Sequence, residues 1–561
     1  MRNEQHHHFT NYDKTGLFYR YWPALKETHG KPAPALILLH TGNEHSGKLT
    51  HLTDELDLPD FQFFAPDIRG HGLSPEGAEK SGLFAGMLRD MDEFYQHIRK
   101  AHLLEGEHIA VIAHGLGALI ASGWIHDYVP DIRAAILGAT TFRLKSFSHV
   151  FQTMSHNLRR SSHEDSLTTQ TKSIYRRFNV REISDRIITD AQSIHIPTQI
   201  LVAGSDRIVC QKPQKAFFDN LGSTKKEFHI FPGSSHDLFG QNNFRKVMKD
   251  MHRFIRMHFQ ERQEFPCLLN ADKTGYTWEE ACRLSQPVTG LFRNLYWKTA
   301  RFSLKYASRI SDGIRLGFET GFDSGSSLDY VYRNQPSGSS AFGRFIDGIY
   351  LNSIGWRGIR QRKIHVEQLI KQAVQQLREQ GKAVHIVDIA AGHGRYILEA
   401  VTGFHPLPES VLLRDYSDIN IRDGQALIKA KELSSLVRFE KGDAFNREEL
   451  ALLSPRPSLA IISGLYELFG DNSLISASLS GLADSMEEGS YLIYTGQPWH
   501  PQLEAIARGL TSHRKGQAWI MRRRTQMEMD QLVKTAGFIK KSMLIDEWGI
   551  FSVSIAQRQK L

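Results

Sequence analysis

The sequence is short of several things, and each shortage removes a class of protein. Three cysteines occur in 561 residues (Cys210, Cys267 and Cys282), in neither paired nor metal-ligand spacing. A disulfide framework and a metal site are therefore not expected, and a reducing cytoplasm is the expected compartment. Long apolar runs are missing too. The most apolar stretch, Ile109 to Ile125, is broken by His114 and several glycines and reads as strand, turn and helix rather than as a membrane span. The opening Met1-Arg-Asn-Glu-Gln-His-His-His-Phe-Thr has no apolar core, so no secretory leader is expected. No repeat or low-complexity tract stands out.

What is present is the composition of a globular protein, 41% hydrophobic and 23% charged. The length exceeds one ordinary core, so two domains and a connector are expected. The net charge of +8 admits nucleic acid, an anionic membrane or an acidic substrate as partner. From Arg262 to Val384 there are 18 Lys+Arg against 11 Asp+Glu, a net +7, so the positive field is assigned to this connecting stretch. Its aromatic–basic interleaving, from Trp278 to Ala307, carries no nucleic-acid stacking signature. Packing of helices against the second domain is the expected use of those aromatics.

Val384-His-Ile-Val-Asp388 is a short β-branched run that reads as a buried parallel strand. It leads through Ala390, Gly392 and Gly394 into Tyr396-Ile-Leu-Glu-Ala-Val401, which reads as a helix. Such a unit lets a ligand approach backbone where no Cβ intrudes, beside a helix N-terminus. A dinucleotide fingerprint wants a third glycine where Ile397 stands. With an acid at the strand end, a ligand carrying a cationic amino-acid end fits better than a pyrophosphate.

Here the chain resembles the class I S-adenosylmethionine-dependent methyltransferases, whose first motif is Asp/Glu-x-x-x-Gly-x-Gly. The resemblance implies that Asp388, Ala390, Gly392 and Gly394 hold that cofactor. It continues in order. Ser410 to Asp415 is a second strand ending in an acid for the ribose hydroxyls, and Leu436 to Phe445 a third, with Asp443 and Ala444 at the adenine. Leu459 to Glu467 is the fourth, where Ser463-Gly464 replaces the family's Asp, and Tyr491 to His500 is the fifth. A helix at Met527 to Gly537 and an antiparallel pair from Ile539 to Ala556 close the series. Tyr466, Glu467 and His500 stand at strand ends on the acceptor side. The cluster Arg514, Lys515 and Arg522-Arg523-Arg524 reads either as a site for an acidic acceptor or as a solvated loop.

In the first half, strands ending at His40 and Asp67 run into His40-Thr-Gly42-Asn-Glu44-His45-Ser46 and Asp67-Ile-Arg-Gly70-His71-Gly72-Leu-Ser74. These resemble the α/β-hydrolase family, monoacylglycerol lipases in particular, with their His-Gly-x-Gly-Glu-His-Ser and Asp-x-x-Gly-His-Gly-x-Ser segments. The resemblance implies that the Gly42 N–H forms one side of an oxyanion hole. It also requires a Gly-x-Ser-x-Gly elbow. After the strand His108 to Ile112 the chain reads Ala113-His114-Gly115-Leu116-Gly117, with Gly115 where the nucleophilic serine belongs. Asp206 and His236 match the other two triad members, in the family's chain order.

A hydrogen atom cannot replace a hydroxyl nucleophile. The ordinary acyl-enzyme route is removed, while Asp206 and His236 could still orient a water. Three readings stay open: a ligand-binding hydrolase fold, a reduced water-mediated hydrolysis, and an isolated loss of the serine. Ser122, on the helix after the elbow, is not read as a substitute. A lid at about 140–194 is basic (Arg143, Lys145, Arg159, Arg160, Arg176, Arg177, Arg181, Arg186) and apolar (Phe142, Phe147, Val150, Phe151, Met154). A substrate-selecting lid and a solvated basic face are both consistent with that pattern.

The expected architecture is two doubly wound α/β domains. A hydrolase-like domain spans 10–262, a basic, largely helical connector that caps the second domain spans 263–383, and a Rossmann-like methyltransferase domain spans 384–561. The whole is similar to bifunctional hydrolase/methyltransferase proteins of bacteria. The expected function is S-adenosylmethionine-dependent methyl transfer to a lipid or other acidic small molecule, with peripheral contact to an anionic inner membrane. An active lipid esterase with a non-standard nucleophile and a catalytically silent lipid-binding protein are the alternatives.

Overall fold

Strands apolar on both faces build two sheets, one in each half of the chain. The computed structural model describes residues 2–26, 32–77, 83–145, 179–240, 244–514 and 516–560. It divides into two compact units, Met1–Pro266 and Cys267–Leu561.

The first unit holds β1 (Gln5–Thr10), β2 (Gly16–Trp22), β3 (Ala35–Leu39), β4 (Gln62–Pro66), β5 (Ile109–His114), β6 (Ala134–Gly138), β7 (Thr198–Ala203) and β8 (Lys226–Phe231). Their order is β1-β2-β4-β3-β5-β6-β7-β8, parallel from β4 onward, with β1 and β2 antiparallel at one edge. Every residue of β3, β5, β6 and β7 is buried, because helices cover both faces of a parallel sheet. The central strand β5 ends at the elbow, and the helix Leu116–Tyr128 that leaves it is buried throughout.

The second unit holds β9 (His385–Asp388), β10 (Ser410–Asp415), β11 (Val437–Lys441), β12 (Leu459–Ile462), β13 (Tyr491–Gly496), β14 (Phe538–Ile545) and β15 (Ser552–Arg558). The order is β11-β10-β9-β12-β13-β15-β14. The first five strands are parallel and β15 is antiparallel to both its neighbours. The chain reverses direction across the sheet between β9 and β12, and the crevice at such a switch point is where open α/β sheets bind ligands. Each strand expected from the sequence is present, with ends displaced by a few residues.

The stretch before β9 folds as helices of this second unit. Its longest helix, Ile354–Glu379, buries Val366, Leu369, Ile370, Ala373, Val374 and Leu377 in the core shared with β9. Ile364, on the same helix, is exposed. The aromatic helix Leu291–Ala307 also departs from expectation, for it buries no residue fully. Phe292 is 87% exposed, and Tyr296, Phe302 and Tyr306 are exposed too. Only a stripe of Asn294, Trp297, Ala300, Leu304 and Ala307 turns inward, which one helical face allows.

Part of the expected lid is core rather than surface. Phe142 is fully buried against Phe217. Arg186 is buried and bonds both oxygens of Asp127, a pairing that removes it from any solvated face. Phe147, Val150, Phe151, Met154, Arg159, Arg160, Arg176 and Arg177 lie outside the described residues. No helix among the described residues is long and apolar enough to cross a membrane.

Candidate functional site

At the elbow of the first unit Gly115 has φ 56° and ψ −113°, a strained conformation that glycine adopts without steric cost. A Cβ built there would lie 2.0 Å from Thr41 Oγ1, 2.8 Å from Thr41 Cβ and 3.4 Å from His236 Nε2. A side chain at position 115 would therefore meet the hydroxyl of Thr41 and lie near His236.

His236 Nδ1 lies 2.8 Å from Asp206 Oδ2. Because the carboxylate accepts, Nδ1 carries a proton, and Nε2 is the ring nitrogen near the elbow. The other Asp206 oxygen accepts the Ile208 and Val209 N–H groups at 2.7 and 3.0 Å. Burial alone would raise the Asp206 carboxyl, but the hydrogen bond and charge of His236, with these backbone donors, hold it below the usual range.

The loop after β3 is pinned from beneath. His40 Nε2 accepts the Ile68 N–H at 3.0 Å, so its Nδ1–H donates to the Thr41 carbonyl at 2.8 Å. Burial, then the neighbouring His71, push His40 down to about 3, so it is neutral. The Gly117 N–H donates to the His40 carbonyl at 3.1 Å, which seats the first turn of the elbow helix against this loop. Leu116 opens that helix, where backbone N–H groups have no intrahelical acceptor; with Gly42 in the facing loop this is the pairing an oxyanion hole uses. Asp67 of the second motif is a staple. It accepts the Ser46 N–H and hydroxyl on one oxygen and the Leu73 N–H on the other. Glu44 in the same loop is pushed up to about 7 by burial and then by Asp237, against Lys48 and His236. Thr41 and Glu44 were not singled out from the sequence; the signal for Thr41 is that it stands where the hydrolase motif has glycine.

In the second unit the expected cofactor residues gather at the ends of three adjacent strands. Gly392 and Gly394 have φ 57° and 72°, and a Cβ on Gly394 would lie 2.5 Å from Leu413 Cδ1. Asp415 Oδ2 accepts the Gly392 N–H at 2.9 Å, and Oδ1 accepts from Ser417 N–H and Asn420 Nδ2 at 2.9 and 3.0 Å. The end of β10 thus shapes the turn after β9. Asp443 is exposed at the end of β11 and Ala444 beside it is buried. The helix Gly325–Arg333 lies over the turn: Gly325 Cα approaches within 3.6 Å of the Gly392 Cβ position, and Arg395 Nε donates to Asp329 at 2.6 Å. Glycine backbone, a strand-end carboxylate and an exposed acid suit a ligand with ribose hydroxyls and amine donors. Asp388 is placed differently from expectation. It is wholly buried, accepts the Tyr396 hydroxyl and, more distantly, the Ala390 N–H, and burial pushes it up to about 7. It supports the turn from below rather than facing an opening.

Across the switch point, at the ends of β12 and β13, lies a cavity of about 570 Å³, within the size range of small-molecule sites. Its walls are apolar and include Trp297, Leu304, Ile346, Tyr350, Trp356, Ile506, Trp519 and Phe551. Arg362, Glu467, Gln497 and His500 supply the polar patch. Glu467 Oε1 accepts the Thr495 hydroxyl at 2.6 Å and lies 3.6 Å from Arg362 Nη1. Among the described residues, Glu467 Oε2, Gln497 Nε2 and Trp519 Nε1 are buried without a protein partner. A Cβ at Gly464 would fall 2.8 Å from Arg362 Nη2, so the glycine in place of the family's Asp makes room for this guanidinium. Arg362 and Gln497 were not foreseen as site residues, because neither belongs to a local motif.

The structure separates the three acceptor-side residues. Glu467 and His500 line the cavity, but Tyr466 is core: its hydroxyl bonds Ser478 at 2.9 Å and it packs among Leu479, Leu482 and Tyr494. His500 Nδ1 accepts the Gln502 N–H at 3.0 Å, so its proton sits on Nε2. Burial pushes it down to about 4, which makes it a neutral hydrogen-bond donor rather than a base. Of the basic cluster, Arg514 is exposed in a turn and Lys515 lies outside the described residues, while Arg522, Arg523 and Arg524 form neither an acceptor site nor a solvated loop. Arg522 pairs with Glu528, Arg523 with Glu280 and the Pro498 carbonyl, and Arg524 with Asn472 and the carbonyls of Tyr466 and Phe469. All three are buried.

Two family models match the chain. One described as "Putative methyltransferase" matches residues 251–558, and one described as "Serine aminopeptidase, S33" matches 30–177 and 152–243. YnbC of Escherichia coli (strain K12), described as an uncharacterized protein, is 46% identical over 99% of this chain and 98% of its own. The phospholipase YtpA of Bacillus subtilis (strain 168) is 18% identical over 40% of this chain and 95% of its own. Among solved structures, the monoacylglycerol lipase of Paleococcus ferrophilus is 18% identical, covering 43% of this chain and 99% of its own, with a TM-score of 0.34. A soluble variant of the monoglyceride lipase of Saccharomyces cerevisiae is 16% identical, covering 46% and 97%, with a TM-score of 0.36.

Proposed function

The chain belongs to the methyltransferase family matched by its second half, joined to an α/β-hydrolase-type first half, and on that premise we propose that it methylates an apolar acceptor with S-adenosylmethionine. The observation that carries this reading is the apolar cavity at the ends of β12 and β13, whose lining includes the Glu467 carboxylate together with Gln497 and His500; among the described residues one oxygen of that carboxylate is buried without a partner.

Gly392, Gly394, Asp415, Asp443 and Ala444 are the residues that would hold the cofactor, which supplies an electrophilic methyl group when bound. The chain's own contribution is placement, since a sulfonium leaving group needs little other help. The apolar walls exclude water and align the acceptor's chain. The Nε2–H of His500 and the Gln497 amide orient its polar end, and Glu467 takes the acceptor's proton, with Arg362 holding the carboxylate in place.

The acceptor's chemistry is read from the cavity walls and from the helix that borders it. The helix Leu291–Ala307 supplies Trp297 and Leu304 to the cavity, while its outer face carries exposed Phe292, Leu295, Phe302 and Tyr306 beside Arg293, Lys298, Arg301 and Lys305 and no acid. Aromatic and cationic residues side by side suit the interface of an anionic bilayer. That supports a lipid acceptor, taken from the cytoplasmic face of a membrane.

Incubating the full-length protein with methyl-labelled S-adenosylmethionine and a lipid extract, followed by untargeted mass spectrometry, tests the reading. Label is expected in an apolar product, and Glu467→Gln is expected to slow its formation by roughly 10²–10⁴-fold while cofactor binding persists. Label confined to water-soluble products, or an undiminished rate in the variant, would count against it.

A further inference from the structure

In the hydrolase motif a glycine follows the first histidine of the oxyanion loop and a serine occupies the elbow. This chain has Thr41 and Gly115 at those positions: the hydroxyl and the glycine have changed places. The exchange is also spatial. A serine Oγ at residue 115 would stand one C–O bond beyond the Cβ position, and Thr41 Oγ1 lies 2.0 Å from that position. A side chain at 115 and the threonine cannot both fit, since Thr41 Cβ is only 2.8 Å away. The rest of the apparatus is intact around this point. His236 Nε2 is 3.4 Å from it, Asp206 holds Nδ1 at 2.8 Å, and His40 fixes the Thr41 carbonyl at 2.8 Å. A site that had merely lost its nucleophile has no need of a hydroxyl in the vacated volume, an aligned Asp–His pair and a pinned loop together.

We propose that Thr41 is the nucleophile of the first unit, and that this unit cleaves carboxylic esters through a threonyl acyl-enzyme. Thr41 Oγ1 bonds the ester carbonyl carbon as its proton passes to His236 Nε2. The N–H groups of Gly42, the residue after the nucleophile, and of Leu116 receive the oxyanion. The ester C–O bond then breaks, and the departing alcohol takes the proton back from His236. Water adds to the acyl-threonine with His236 again accepting a proton. The carboxylic acid leaves, and Oγ1 regains its hydrogen.

The test uses the full-length protein, a fluorophosphonate probe with peptide mapping by mass spectrometry, and hydrolysis of p-nitrophenyl acetate. One adduct is expected, on Thr41. Thr41→Ser should keep the adduct and react faster, its hydroxyl being less hindered. Thr41→Val, which keeps the shape and removes the oxygen, should lose both adduct and hydrolysis, as should His236→Ala. The double variant Thr41→Gly/Gly115→Ser should move the adduct to residue 115. An adduct elsewhere in the wild type would overturn the proposal, as would hydrolysis that survives Thr41→Val. A wild type that stays unlabelled while the double variant is labelled would overturn it too, showing that Thr41 only fills space.

Discussion

Single side chains in the second unit have consequences that follow from where they sit. A Cβ at Gly394 meets Leu413 and the backbone there has a positive φ, so Gly394→Val should deform the glycine turn, and calorimetric titration should find no saturable S-adenosylmethionine binding. Asp415→Ala should weaken binding by roughly ten- to a hundredfold, because a charge-assisted hydrogen bond contributes about 1.5–3 kcal/mol. It also leaves the Gly392 N–H without the acceptor it now has. Equal affinity in both variants and the wild type would remove the cofactor assignment. Asp388 makes a separate prediction through pH. Its carboxyl is raised from 3.8 to about 7, so between those values the folded state binds more protons than the unfolded one. Its contribution is full below pH 3.8 and lost as pH rises through 7. Asp388→Asn keeps an acceptor for Tyr396 and removes the titration. Denaturant unfolding without cofactor should show the variant gaining on the wild type as pH climbs from about 4 to 7. His500 contributes with the opposite sign: depressed from 6.5 to about 4, its share is full above pH 6.5 and lost as pH falls toward 4.

At the scale of elements, the helix Leu291–Ala307 is the piece whose surface is least suited to water. A helix with one inward stripe and aromatics on its outer face leaves those rings to solvent unless something covers them. Fully burying one such ring contributes about 1.5–3 kcal/mol, so a few of them suffice for reversible attachment to a bilayer. Phe292→Glu with Phe302→Glu should abolish co-sedimentation with anionic vesicles, and the wild type should bind less well as salt rises past about 0.15 M, where the Debye length is about 8 Å. Equal sedimentation with neutral vesicles would argue against the charge component. Tighter binding to RNA than to vesicles at equal salt would transfer the basic surface to nucleic acid. The same helix explains why its aromatics misled the sequence reading: apolar content alone does not say which neighbour, if any, the face meets.

At the scale of the molecule, the chain is two α/β units with separate cores, joined at Pro266 and Cys267. A ligand that binds only the native second unit stabilises that unit by RT ln(1 + [L]/Kd), about 2.7 kcal/mol at a hundredfold excess over Kd. Scanning calorimetry should therefore resolve two transitions, of which S-adenosylmethionine raises one and leaves the other in place. A single transition that shifts as a whole would show that the units unfold together.

The sequence by itself determined the strand–turn–helix motifs, their order and hence both folds. Each motif is local, and glycine turns, strand-end acids and β-branched runs leave their mark within a dozen residues. The glycine at the end of β5, Gly115, was legible for the same reason. What only the tertiary structure decided is what each side chain meets. Asp388 and Tyr466 sit at motif positions yet point into cores. Arg522, Arg523 and Arg524 read as a basic surface, but carboxylates and carbonyls distant in the chain bury them. Arg362 joins Glu467 from a helix that precedes the sheet, and Thr41 reaches Gly115 from another strand end. Contacts between such distant residues depend on packing and register, and a linear pattern carries no signal of either.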